Sequence, residues 1–253
     1  MISTLLSIIK IVFLLGLLIG IHETGHFLVA KLCKVKVNEF AIGFGPTIWK
    51  KQKNNTEYEL RLIPLGGFVR MEGEEERSEE EGSFSKASIP KRIAIVAGGG
   101  KVNIVFAIIV YFILFATMIE IPDNTFTSKI NFAATETGEF VFTTIDGLRM
   151  LFTGQTSTAQ LIGPVGISEV VAQTQGIKEF IYMLAVISIS LGATNLIPFP
   201  PLDGGKILLL IIEAIRKKPL KEETEIKIQL LGFAILIVLA LVVTYQDIIK
   251  IIH

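Results

Sequence analysis

Ile11-Val12-Phe13-Leu14-Leu15-Gly16-Leu17-Leu18-Ile19-Gly20-Ile21 is an uncharged run that ends abruptly in His22-Glu23-Thr24-Gly25-His26. Extended to 5–30, the stretch reaches the roughly 20 residues that a helix needs to cross a hydrocarbon core. The first element therefore reads as a membrane helix with three ionisable groups packed into five residues. At bilayer depth each such group costs about 2.5–3.5 kcal/mol even on lenient insertion scales, so the trio needs a compensating partner. A metal ion is the natural one. On a helix, residues four apart share one face, so His22 and His26 can reach one zinc ion. The alternative is a pair of buried histidines satisfied by their neighbours. A cleaved signal peptide is disfavoured, because the N-terminus lacks a basic leader and a small-residue cleavage site.

Composition supports lipid as the solvent. The 253 residues are 51% hydrophobic with formal charge +0, and mean hydropathy is +0.60. Neutrality argues against a nucleic-acid partner, and the lone Cys33 cannot form an internal disulfide. Further spans are expected at 93–119, 180–202 and 228–246, with 207–212 as a short interfacial or re-entrant helix. The expected fold class is an all-α polytopic membrane protein, a four-transmembrane-helix bundle with a small membrane-associated cytoplasmic β-hairpin. Lysine and arginine number 12 in 31–92, 3 in 121–179 and 6 in 203–227. By the positive-inside rule the first and third connections are cytoplasmic, and both termini lie outside.

Several stretches carry the chain's organisation. Gly16 and Gly20 form a small-xxx-small pair suited to close approach by a neighbouring helix. Within the cytoplasmic region 35–72, residues 57–62 alternate in polarity, 63–67 read as a turn, and 68–71 resume as strand. Residues 72–81 hold seven glutamates and read, within the loop 73–90, as solvated. Gly98-Gly99-Gly100-Lys101 lacks the pattern of a phosphate loop and reads as a tight turn into the second span. In the outside segment 121–178, Gly163-Pro164-Val165-Gly166 reads as a turn and nothing resembles a catalytic group.

The pattern at 22–26 is H-E-x-x-H, in which the glutamate acts as general base on water activated by zinc. A catalytic zinc needs a third protein ligand. His253 is remote, Glu169, Glu179 and Asp247 fall on the outer side, and Glu213 stands beside Arg216 and Lys217 as an ion-pair residue. Glu39 is the nearest downstream carboxylate, although Lys34-Val35-Lys36-Val37 suggests that the helix has ended. Asn195-Leu196-Ile197-Pro198-Phe199-Pro200-Pro201-Leu202-Asp203-Gly204-Gly205 offers more. Its three prolines and two glycines break the helix, and irregular backbone at membrane depth belongs where it is buried or lines a cavity. Asp203, with Asn195 at the same break, would complete a His, His, Asp set if both spans are regular and bring it to the depth of His22 and His26; the alternative is a helix stop with an aspartate facing the cytosol.

These motifs resemble the site-2 protease family of intramembrane zinc metalloproteases, in its bacterial branch. Ile21 to Phe27 with Ala30-Lys31 is similar to the family's first-span motif, and Asn38-Glu39-Phe40 with Ile42 to Pro46 to its continuation. Ile63 to Val69 resembles its membrane-associated hairpin, and Gly163 to Ile167 the run before its third span. The signature N-x-x-P-x-P-x-L-D-G-G falls on Asn195, Pro198, Pro200, Leu202, Asp203, Gly204 and Gly205 without a gap. The resemblance implies one membrane-embedded peptidase domain over 1–253, one zinc ion on His22, His26 and Asp203, Glu23 as catalytic base, and Asn195 assisting substrate binding. It implies hydrolysis of single-pass transmembrane substrates, such as anti-sigma factors or remnant signal peptides, in a bacterial inner membrane. Two departures stand out. Residues 122–154 are too few for the PDZ domain that branch usually carries, and Lys101 stands in a stretch, up to Asn103, where a small-residue turn is expected. The rival readings are a zinc or proton transporter, or a silent relative that only binds transmembrane helices.

Overall fold

The structure is a computed structural model that describes residues 2–122, 125–153 and 163–252. His253 and part of the expected outside segment lie outside the described residues. The chain runs α1 (Ile2–Leu32), β1 (Val37–Lys53), β2 (Thr56–Met71), α2 (Ile89–Thr117), α3 (Phe126–Phe152), α4 (Pro164–Gln173), α5 (Ile177–Asn195), α6 (Asp203–Arg216) and α7 (Glu222–Ile252). Four helices are long and apolar enough to cross a membrane: Leu5–Leu32 of α1, α2, α5, and Glu222–Lys250 of α7. On α7, Leu230, Leu231, Phe233, Val238 and Leu241 are all more than half exposed, as suits a helix solvated by lipid. The mostly helical fold with a small antiparallel sheet matches the expected class.

The differences from expectation have local causes. Gly98 to Lys101 is not a turn but part of α2, because these glycines serve close packing rather than a change of direction. A Cβ at Gly98 would lie 2.7 Å from the Gly25 carbonyl oxygen, so this pair sets the approach of α1 and α2. The Gly16–Gly20 stripe faces the sheet instead of a helix: a Cβ at Gly16 would sit 2.5 Å from the Pro64 oxygen. In the hairpin the reversal comes at Asn54 and Asn55, with φ of 51° and 59°, the backbone of a tight turn that asparagine tolerates. Residues 63–67, expected to turn, lie inside β2. Both strands bend, at Gly43 and Gly45 in β1 (φ 95° and 81°) and at Gly66 in β2 (φ 145°). As a result 39–42 lie between two segments of β2, paired with 57–60 on one side and with 67–70 on the other, while 47–53 pair with 56–61. Gly163 and Pro164 form the N-cap and first turn of α4, and polar and aromatic residues of 126–152 lie on the helix α3.

Two compact units emerge. One comprises Val12–Asn103 and Leu191–Ala234. Its core gathers Ala30, Val35, Val37, Met71, Phe84, Ile95, Val96 and Leu210, all within 5% exposure. Arg92 grips Glu213 through both guanidinium nitrogens at 2.5 and 3.1 Å, so Glu213 is an ion-pair residue as expected, but with a partner on α2. The other unit comprises Met1–Ile11, Ile104–Ser190 and Ile235–His253. There Tyr111 stacks on Phe140 and Phe115 with centroids 4.1 and 4.6 Å apart, and Asp247 accepts the Gly166 N–H at 2.9 Å.

Candidate metal centre

The site is built by three elements of the first unit. α1 continues unbroken through His22, Glu23 and His26, so its period sets the two imidazoles one turn apart, with ring centroids at 4.8 Å. α5 stops at Asn195, and the proline-rich stretch leads to Asp203 in the first turn of α6. Gly204 and Gly205 are required there, since a Cβ on Gly205 would lie 2.6 Å from the Pro200 nitrogen and one on Gly204 would strike the Leu196 and Ile197 carbonyls.

The donors converge. His22 Nε2 lies 3.2 Å from His26 Nε2, and Asp203 Oδ2 lies 3.2 Å from the first and 3.4 Å from the second. Tetrahedral ligation with bonds of about 2.0 Å requires donors about 3.3 Å apart, so the triangle has the size of a zinc site. No other group of three histidine, cysteine or carboxylate side chains clusters in this way among the described residues. His26 Nδ1 lies 2.9 Å from the Ile95 carbonyl oxygen, to which it donates, and this leaves the Nε2 lone pair free for a metal. His22 Nδ1 lies 3.5 Å from the Asn103 amide nitrogen; turned by 180°, the amide oxygen accepts the Nδ1–H that ligation through Nε2 demands. Gly99 keeps the space between the donors open, for a Cβ there would come within 2.7 Å of His22 Nε2 and nearer still to His26 Nε2. Burial pushes the Asp203 carboxyl up, but the two imidazoles outweigh it and hold its pKa at about 2, so it is ionised at neutral pH. The chemistry and spacing of this set fit zinc.

A cavity of about 210 Å³ opens in front of it, lined by Glu23, Phe68, Val69, Met71, Glu74 and Lys206 as well as the three donors. Glu23 thus faces the same space as the metal donors. Asn195 ends α5, half-buried, and is not among the residues lining this cavity. Glu39 is engaged elsewhere, accepting from Arg61 and Arg70 at 2.7 Å each. Nothing in the local sequence marks Gly99, the Ile95 carbonyl or Glu74 as groups of this site. Lys206 carried a signal, standing one turn after Asp203, whereas Glu74 was hidden among seven glutamates.

The sequence model for peptidase family M50 matches residues 10–239. The chain belongs to peptidase family M50. This M50 chain is similar to a protein of Clostridium acetobutylicum named "Putative zinc metalloprotease", 28% identical over 330 aligned positions that cover 96% of this chain and 97% of the relative. It is also similar to zinc metalloprotease RasP of Bacillus licheniformis, 25% identical over 412 positions that cover 96% and 98%. Both alignments exceed the 253 residues of this chain, so the relatives carry internal residues that it lacks. With four apolar helices and this membership, the M50 protein is a multi-pass membrane peptidase.

Proposed function

We propose that the chain is a zinc-dependent endopeptidase that cuts within the transmembrane segments of single-pass proteins, with His22, His26 and Asp203 as metal ligands and Glu23 as general base. The observation that carries this reading is the triangle of donor atoms beside Glu23. A bound zinc ion supplies Lewis acidity and lowers the pKa of water toward about 7. Glu23 then takes a proton from the attacking water and returns it to the leaving amine. Asn195, at the end of α5, steadies the substrate backbone near the cut. Phe68, Val69 and Val96 give the cavity an apolar wall, and Asn103 and the Ile95 carbonyl hold the imidazoles in the ligating tautomer.

A transmembrane helix has no free backbone groups, so a substrate must unwind before attack. Residues 67–71 of β2 suit the unwound stretch. One side of this strand pairs with 37–42, and among the described residues no ladder occupies its other side, while Phe68, Val69 and Met71 line the cavity. The charge asymmetry of the connections supports a bacterial inner-membrane protein with both termini outside and the site toward the cytoplasm. Anti-sigma factors and remnant signal peptides are the substrate classes.

Zinc per chain measured beside cleavage of a fluorescent single-span peptide tests the assignment. Wild type holds one zinc ion and cleaves; Glu23→Gln keeps the zinc and loses cleavage by at least about 10²-fold. Metal flux through liposomes without any cleavage by wild type would instead make the protein a transporter.

A further inference from the structure

Lys206 and Glu74 stand where the metal cavity meets a second one. Val69, Glu74 and Lys206 line both, and the neighbouring cavity, about 370 Å³, is bounded otherwise by Glu75, Glu222 and Glu225 among others. The Lys206 ammonium donates to Glu74 Oε1 at 2.6 Å, with the two side chains 26% and 19% exposed, and lies 5.2 Å over the Phe84 ring. The ends of this bond are informative. Glu74 follows the edge segment of β2 by three residues, and its N–H donates to the Met71 oxygen at 3.3 Å, so it is tied closely to the strand. Lys206 sits one turn beyond Asp203, and its N–H donates to the Leu202 oxygen at 3.2 Å.

We infer that the Lys206–Glu74 pair is a strut that sets the distance between the substrate-holding edge of β2 and the Asp203 carboxylate, and thereby selects which peptide bond is cut. This rests on the function proposed above. An extended substrate advances about 3.3 Å per residue, so a displacement of the strand by a fraction of that length carries the scissile carbonyl out of register with the metal donors and loosens the choice of bond. The tie is sheltered enough from water to hold its geometry, unlike an exposed ion pair. The role is one of positioning: neither side chain exchanges protons or electrons with the substrate.

The test compares wild type with Glu74→Gln, Lys206→Met and Lys206→Arg in detergent. It reads three quantities: zinc per chain, the bonds cut in a single-span peptide by mass spectrometry, and hydrogen exchange of amides 72–84. Glu74→Gln and Lys206→Met keep zinc, spread the cut over adjacent bonds, and speed exchange of 72–84 by about tenfold or more. Lys206→Arg, which preserves the charge and can reach Glu74, restores a single cut. An unchanged cut with unchanged exchange in both neutral variants overturns the strut, as does loss of zinc with exchange preserved, which would make Lys206 a support of Asp203 alone. A wild type that holds zinc but cuts nothing refutes the proposed function, and the exchange measurement still decides whether the tie exists.

Discussion

At the scale of single residues, the site depends as much on what is missing as on what is present. Gly99 contributes no atom to the donor triangle, yet any side chain there would occupy the space before both Nε2 atoms. Gly99→Ala is expected to weaken zinc binding by at least about tenfold in chelator competition while the helix content by circular dichroism stays unchanged. Asp203→Ala removes the anionic donor and lowers zinc per chain; metal content equal to wild type would move the third bond to another group. Arg92 and Glu213 illustrate a different dependence. Their side chains are only 12% and 16% exposed, so Arg92→Ala strands a buried carboxylate and should cost about 3–5 kcal/mol, read as a lowered thermal midpoint in detergent. His22, Glu23 and His26 could be placed from the sequence because a helical period is local. The Arg92 partnership could not, since 121 residues separate the two groups.

At the scale of elements, the hairpin and α2 show how turn-forming residue types serve different ends. Asn54 and Asn55 adopt positive φ at the tip of the β1–β2 hairpin, where β-branched residues are strained by roughly 1–2 kcal/mol each. Replacing both by valine should loosen the sheet, visible as faster hydrogen exchange across 47–61, whereas Asn55→Gly should be neutral or stabilising. Glycines 98 to 100 look like a turn in isolation and are helical in the fold. They let α2 lie against Gly25 and the paired imidazoles of α1 and against the Gly192 carbonyl of α5 at once, contacts from two separate parts of the chain. A tight turn is what the local sequence implies and close packing is the actual use, because the neighbours that make a small residue necessary lie far away in sequence. The proline-rich segment was more legible. Prolines cannot continue a helix whatever surrounds them, so a break within 195–205 followed from residue type alone, although the expected span ran to 202 and α5 stops at Asn195.

At the scale of the whole molecule, metal and fold are coupled. A ligand that binds only the folded chain stabilises it, so removing zinc with a chelator should abolish cleavage and lower the thermal midpoint, and adding zinc should restore both. Activity that survives complete removal would exclude metal-assisted hydrolysis. The substrate carries the complementary requirement. Under the proposed function, in which a substrate helix unwinds before attack, peptides with glycine or proline near the scissile bond should be cut faster than those with an unbroken leucine helix; equal rates would dismiss the unwinding step.

Membrane residence, the four spans, the H-E-x-x-H face and the helix break before Asp203 were all determined by the sequence. Each depends on properties that short stretches carry by themselves: transfer energy, helical period and the missing N–H of proline. The meeting of Asp203 with His22 and His26 across about 180 residues was decided by tertiary structure, as were the space kept by Gly99, the carbonyl of Ile95 that orients His26, and the bond from Lys206 to Glu74. Those contacts join segments with no local influence on one another, and only packing determines which of many carboxylates, glycines and carbonyls arrives at the same few ångströms.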